Sequence, residues 1–340
     1  MRNGKKKKST IALIAVVIMG CLSVHQAQAQ TISLDWPIEC EFGKNCVVQN
    51  YVDEDSTASA RDFTCGPLTY DQHKGTDIRL LNEAAMRKGV NVLAAADGVV
   101  RGVRDGMNDV NVNVIGKDAI KNRECGNGVV LDHAAGYDTQ YCHMMKGSIV
   151  VTQGQKVKAG DVLGKVGMSG ATEFPHLHFQ VSRLGKILDP YTGASAGSNC
   201  GQSDANSLWR EEVKAKTSYI SSFLLGHGFV TVVPKAEIIR NQASTPSVIS
   251  RSSPALIYWA DVMGARVGDT LSLAIYAPSG NLWATRDVPF NRNQALSFSF
   301  VGKKATPEGL IPGVYTSKVM LKRAGKDTAV FEATTEVNVE

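Results

Sequence analysis

From residue 90 onward, apolar and polar positions alternate in short runs separated by glycines: 90–95, 98–103, 128–131, 138–143, 162–166 and 176–181. Runs of this length, with turn residues between them and no sustained 3.6-residue period, predict an antiparallel β-fold. The stretch from Gly128 to His143 holds two such runs either side of 134–137 and predicts a hairpin. Residues 104–124 are polar and irregular and predict a surface excursion. After Cys200 the texture changes. Residues 207–220 fit a short helix or connector, and 241–254, rich in Ser, Thr and Pro, predict an exposed loop. Alternation resumes at 270–276, 295–301, 313–321 and 330–339, with Pro278-Ser279-Gly280 and Ile311-Pro312-Gly313 as turns. That pattern predicts a small immunoglobulin-like β-sandwich. The expected fold class is mainly β, with an antiparallel β-sheet domain over 30–200, a connector over 201–253 and an accessory sandwich over 254–340.

Residues 1–29 follow another pattern. Arg2 and Lys5 to Lys8 precede an apolar run at 11–24 and an Ala27-Gln28-Ala29 motif, the layout of a cleaved secretory signal. The apolar run is shorter than the roughly 20 residues a bilayer span needs, so no stable membrane span is expected after cleavage. Lipidation at Cys21 is the rival reading, weakened by Met19 and by the small-residue site that follows. Removing the signal changes the charge picture. The whole chain carries 37 Lys+Arg against 32 Asp+Glu, but five basic residues and no acidic one lie in the signal, so the remainder balances. Nothing then argues for nucleic acid or an anionic surface as a partner. Export also changes the reading of the cysteines. Setting Cys21 aside leaves six, an even number that favours three disulfides in a periplasmic or secreted protein. Cys40–Cys46 is the easiest local closure, Cys125 and Cys142 sit on the two arms of the expected hairpin, and Cys65–Cys200 remains.

Five of the seven histidines fall between residues 73 and 178. In His73-Lys74-Gly75-Thr76-Asp77 an imidazole and a carboxylate are four residues apart. In His176-Leu177-His178 the two imidazoles share one face of a strand, roughly 6.5–7 Å apart. Either motif alone is most simply an ordinary surface pattern. Together, in one exported β-domain, they supply a His-Asp-His set, and zinc takes such ligands at roughly 2.0–2.2 Å. Three protein ligands leave a position for water, the mark of a catalytic rather than a structural site.

These residues resemble the H-x-G-x-D signature of the lysostaphin-type (LytM-like, β-lytic) zinc endopeptidases, metallopeptidase family 23. The likeness extends over roughly 65–190 and includes the text around Ala95-Ala96-Asp97-Gly98, Leu131-Asp132-His133, Tyr141-Cys142-His143 and Pro175-His176-Leu177-His178-Phe179. Departures are Cys142, where a small residue is commoner, and the length of the 104–124 excursion. The resemblance implies a β-sheet peptidase domain with an open groove, one Zn2+ per chain on His73, Asp77 and His178, and His143 and His176 as non-ligand active-site histidines. It implies peptide cross-links of peptidoglycan as substrate, with His176 the general base and His143 the oxyanion donor, roles that the sequence leaves exchangeable. His133 falls at a fold-supporting position. The alternative from another class is a catalytically silent wall-binding or regulatory module, against which all five expected positions are filled.

Other patterns carry less. There is no His-Glu-x-x-His helix motif, Gly160–Lys165 falls short of a phosphate loop, and Gly167-Met168-Ser169-Gly170 lacks the second glycine of a serine elbow. Cys142 beside His143 reads as a disulfide partner rather than a nucleophile. Tyr70 stands near enough to His73 for the site rim, and His227 stands alone in Leu225-Gly226-His227-Gly228. No metal-binding or nucleophilic constellation is apparent in the C-terminal half.

Overall fold

The short alternating runs of the first half become strands because each can bury one face. In the computed structural model the six runs correspond to β3 (Asn91–Leu93), β4 (Gly98–Arg104), β5 (Asn127–Asp132), β6 (Tyr137–Met144), β8 (Val162–Lys165) and β9 (His176–Arg183), and four strands not expected from the pattern join them: β1 (Cys46–Asn50), β2 (Thr76–Leu80), β7 (Lys156–Val157) and β10 (Lys186–Leu188). The structure describes residues 1–4, 31–242 and 245–340. The apolar run and cleavage motif of the expected signal, with Cys21, lie outside the described residues.

One sheet runs in the order β1-β2-β9-β6-β5-β4-β7, with β10 beside β9, while β3 and β8 form a separate ribbon. The pairings are antiparallel. The hairpin expected at 128–143 is present, with Asp132 opposite Asp138 and a short 3-10 turn over Ala134–Gly136. On one face Ile78, Leu80, Leu177, Phe179, Val181, Tyr141 and Leu131 join the first hydrophobic core, which also takes in Trp209 and Val213. Three disulfides, Cys40–Cys46, Cys65–Cys200 and Cys125–Cys142, close the pairs expected from the sequence.

Beyond residue 200, α-helical turns are short; α1 (Glu83–Lys88) and α2 (Val112–Ile115) precede them, followed by α3 (Glu211–Lys216) and α4 (Ala236–Asn241). The remaining strands are β11 (Phe223–Val230), β12 (Val248–Ile249), β13 (Ala255–Ala265), β14 (Thr270–Tyr276), β15 (Leu282–Pro289), β16 (Gln294–Lys304), β17 (Gly313–Lys322) and β18 (Ala329–Val339). They make a three-stranded sheet β11-β13-β16 and a five-stranded sheet β12-β18-β17-β14-β15. Leu256, Tyr258, Leu271, Leu273, Tyr315 and Val319 form a second core. Residues 201–253, expected as a connector, thus supply two strands to these sheets. Thr31–Glu340 is one compact unit. Among the described residues no helix is long and apolar enough to cross a membrane.

Candidate metal centre

The register of β2 against β9 brings the two distant motifs together. Asp77 stands opposite His178 and Arg79 opposite His176, and because alternate residues share a face, these four side chains lie on the face away from the first core. His73 enters from the turn before β2. Its Nε2 is 3.1 Å from Asp77 Oδ1 and 3.3 Å from His178 Nδ1, and His178 Nδ1 is 2.8 Å from Asp77 Oδ1. Three ligands at tetrahedral angles around zinc would be separated by about 3.4 Å, so the donor atoms already stand near coordination spacing. Among the described residues this is the one such group with donor atoms all within 4.8 Å of one another. Two imidazoles and a carboxylate, with every described cysteine tied in a disulfide, fit zinc in an open, three-ligand site. Gly75 makes room for it: a Cβ there would lie 2.6 Å from His178 Nε2.

Surrounding groups fix which atoms face the centre. A backbone carbonyl only accepts, so the 2.6 Å contact of His73 Nδ1 with the Tyr51 carbonyl makes Nδ1 the donor and leaves the Nε2 lone pair for a metal. Asn50 Nδ2 donates to Asp77 Oδ2 at 3.0 Å, leaving Oδ1 toward the histidines. Burial would push the Asp77 carboxyl up, but the imidazoles of His73 and His176 outweigh it and hold Asp77 well below the usual carboxylate range. Burial likewise pulls His73 down, and Asp77 together with the Tyr51 carbonyl raises it above its ordinary value. His178 and His143 are both lowered, chiefly by burial. These directions favour an ionised carboxylate and neutral imidazoles at 143 and 178.

The two remaining histidines stand alongside. His143 Nδ1 donates to the Ser169 carbonyl at 2.8 Å, and its own backbone N–H donates to Cys125 O at 2.8 Å. His143 adopts φ +61°, a left-handed conformation that non-glycine residues rarely take and that is held here just after the Cys125–Cys142 disulfide. His176 Nδ1 donates to Phe174 O at 2.9 Å, with Thr172 Oγ1 at 3.0 Å, and its Nε2 is 3.5 Å from Asp77 Oδ1. The two rings are 4.6 Å apart between centroids, and His143 is 6.0 Å from His178. All five histidine and aspartate positions singled out in the sequence therefore meet in one place.

Other candidates separate cleanly. Tyr70 lies at the rim, 54% exposed, with its ring 4.4 Å from that of His73. His133 has both nitrogens engaged, with Asp97 O at 2.8 Å and Thr139 Oγ1 at 2.7 Å, so it braces neighbouring strands. His227 Nδ1 pairs with the Tyr258 hydroxyl at 2.8 Å in the C-terminal sheets. The 104–124 excursion is tied to the site's border: Asp109 accepts from the Met168 N–H at 2.6 Å, Val112 N–H donates to Thr172 O at 2.9 Å, and Asn111 Nδ2 donates to Glu173 O at 2.8 Å. It thereby holds the loop leading into His176. Asn50, Tyr51, Ser169 and Thr172 were not legible as site residues; two of them act through backbone carbonyls, which every residue type possesses.

Comparison with known proteins agrees with this geometry. Residues 71–190 match Peptidase family M23. Similar curated proteins include an uncharacterized metalloprotease of Haemophilus influenzae, 30% identical over 133 residues that make up 39% of this chain and 23% of the relative. Others are the peptidoglycan DD-endopeptidase ShyA of Vibrio cholerae, 33% identical over 117 residues (34% of this chain, 22% of the relative), and the DD-carboxypeptidase/endopeptidase Mpg of Neisseria meningitidis, 30% identical over 149 residues (43% and 28%). The chain thus spans between 22% and 28% of the length of these relatives. Among solved structures, the catalytic domain of the M23 protein EnpA from Enterococcus faecalis is 23% identical, with a TM-score of 0.31 over 44% of this chain and 92% of that one. The catalytic domain of lysostaphin from Staphylococcus simulans is 23% identical, with a TM-score of 0.27 over 42% of this chain and 86% of that one. At those scores the two structures add nothing to the sequence match. Residues 71–190, which contain the whole His-Asp-His cluster and both flanking histidines, are thus the part of the chain that is similar to Peptidase family M23.

Proposed function

We propose that the chain is an exported zinc metalloendopeptidase that hydrolyses the peptide cross-links of peptidoglycan. The observation that carries this reading is the convergence of His73 Nε2, Asp77 Oδ1 and His178 Nδ1 within 3.3 Å of one another on one sheet face. Zinc held by these three side chains would supply a water whose pKa falls toward 7 and would polarise a peptide carbonyl. The protein's own residues do the rest. With Nδ1 committed to Phe174 O, His176 has Nε2 as its proton-accepting atom, and we assign it the general-base role, taking the nucleophile's proton and returning it to the leaving amine. His143, neutral and anchored through its Nδ1 proton to Ser169 O, presents an unprotonated Nε2; it serves as a second base, and donates to the developing oxyanion only once it has taken up a proton at that atom. Three disulfides and the signal-like first 29 residues support export. The relative named as a peptidoglycan DD-endopeptidase, beside one named as a DD-carboxypeptidase/endopeptidase, supports the substrate.

The test is zinc analysis combined with mass spectrometry of purified peptidoglycan digested by the protein. The expected result is about one zinc per chain and release of muropeptides with a newly cut peptide cross-link, abolished by a chelator and restored by zinc. Cleavage of glycine-rich or other peptides but not of peptidoglycan would move the substrate. Zinc binding with no cleavage of any peptide would favour a wall-binding module.

A further inference from the structure

The face of the sheet that carries the metal ligands continues past them to a second feature. Counting along β2, Asp77, Arg79 and then Leu81 fall in alternation. Arg79 is buried, its guanidinium lies 4.4 Å over the Phe174 ring, and Phe174 is 4.7 Å from the His176 ring. One step further, Leu81 and Asn82 border a cavity of about 350 Å³ whose remaining walls come from the C-terminal half, among them Gly226 of β11, Arg240 of α4, Gln242, and Trp259 and Asp261 of β13. Its size is within the range of small-molecule sites, about 300–1,000 Å³.

The strand pairing explains why the space is there. Gly226 stands opposite Asp261 and Gly228 opposite Trp259, so the glycines of Gly226-His227-Gly228 share the face of Trp259 and Asp261, while His227 turns to the other. A Cβ on Gly226 would come within 3.1 Å of the Trp259 ring. The chemistry of the walls is equally specific. Arg240 meets both Asp261 oxygens, at 2.6 and 2.7 Å, so the pair is internally neutralised and adds no net charge to the cavity wall. What remains is an indole, an aliphatic side chain and planar groups rich in hydrogen-bonding atoms, a set suited to a neutral polyhydroxylated ring that bears an amide. Leu81 is four residues from Asp77, about 13 Å along an extended strand. An extended peptide of about four residues covers the same distance.

We infer that this cavity is a glycan subsite, taking the N-acetylated amino sugar that heads a peptide stem whose far bond lies at the metal centre. This rests on the cell-wall reading above and gives the C-terminal half a role: it holds the strand while the M23-like segment cuts the peptide.

The experiment compares two cross-linked substrates with the same peptide sequence, one with its disaccharides attached and one freed of sugar, in the full zinc-loaded chain. The native protein should show kcat/KM about tenfold higher for the sugar-bearing substrate, with the difference in KM. Gly226→Val, which fills the cavity, and Gln242→Ala, at an exposed position that leaves the packing intact, should each bring that ratio toward one. A ratio near one in the native chain, with both substrates cleaved, would overturn the glycan subsite and leave the endopeptidase reading standing; so would a tenfold ratio that persisted in both variants. Cleavage of neither substrate would overturn both readings together.

Discussion

Asp77 is the residue on which the site converges, touching three imidazoles and one amide through its two oxygens. Asp77→Ala and His178→Ala should each lose zinc and activity together, because a ligand is gone. His176→Ala should keep its zinc and lose about 10²–10⁴ in kcat, the usual worth of a positioned acid–base group; metal analysis beside a peptide-cleavage assay separates the two outcomes. Asn50 touches only the far carboxylate oxygen, so Asn50→Ala should weaken zinc affinity by about 10–100-fold without removing a ligand, as read by competition with a chromogenic chelator. Unchanged affinity would mean that Asp77 is oriented by its strand alone. Gly75→Ala removes no ligand either. The Cβ it adds, 2.6 Å from His178 Nε2, must displace that ring, and zinc affinity should fall.

At the scale of elements, strands facing the core on one side were legible because alternation records a half-buried face: β9 and β14 begin where the pattern predicts. β13 was not legible for the opposite reason. All eleven of its residues are buried, Tyr258, Ala260 and Val262 in the second core and Trp259 and Asp261 on the other face, so no alternation exists to read. The proposed ligands were legible because zinc demands particular side chains. The atoms that orient them were not, since Tyr51 and Ser169 act through carbonyls and Asn50 reaches Asp77 across the β1–β2 pairing. The β5–β6 hairpin also carries the Cys125–Cys142 disulfide directly before the left-handed His143. Replacing both cysteines by alanine should cost about 3 kcal/mol of stability, the value for a loop of roughly 15 residues, and should lower kcat beyond that expected from stability alone. Denaturant melts and kinetics on the same variant check both parts.

In the molecule as a whole, the chain segments around 53–65 and 187–200 are joined by the Cys65–Cys200 disulfide and by backbone bonds from Gly197 to Asp53 and from Asn199 to Glu54. Two buried carboxyls sit in this joint. Burial, then the nearby Asp189, pushes Glu54 up to about 8, and burial pushes Asp189 up to about 7. Both folded-state values exceed the unfolded ones, so between about pH 4 and 8 the folded protein binds more protons than the unfolded chain. Their contribution is fully present below the ordinary carboxyl range and is lost as pH rises through 7 and 8. His143, lowered by burial, acts in the opposite sense below about pH 6.5, where unfolding lets it take a proton. Thermal melts should therefore show lower Tm at pH 9 than at pH 6.5, and Glu54→Gln with Asp189→Asn should flatten that decline. A native Tm that rose from pH 6.5 to 9 would mean that these carboxyls stay ionised when folded.

The central claim is most directly tested by zinc K-edge X-ray absorption on the protein loaded with one equivalent of metal. The expected first shell is nitrogen and oxygen alone at about 2.0–2.2 Å, with the outer-shell signature of two imidazoles. Sulfur at about 2.3 Å, or a spectrum unchanged by Asp77→Ala, would contradict a centre built from His73, Asp77 and His178.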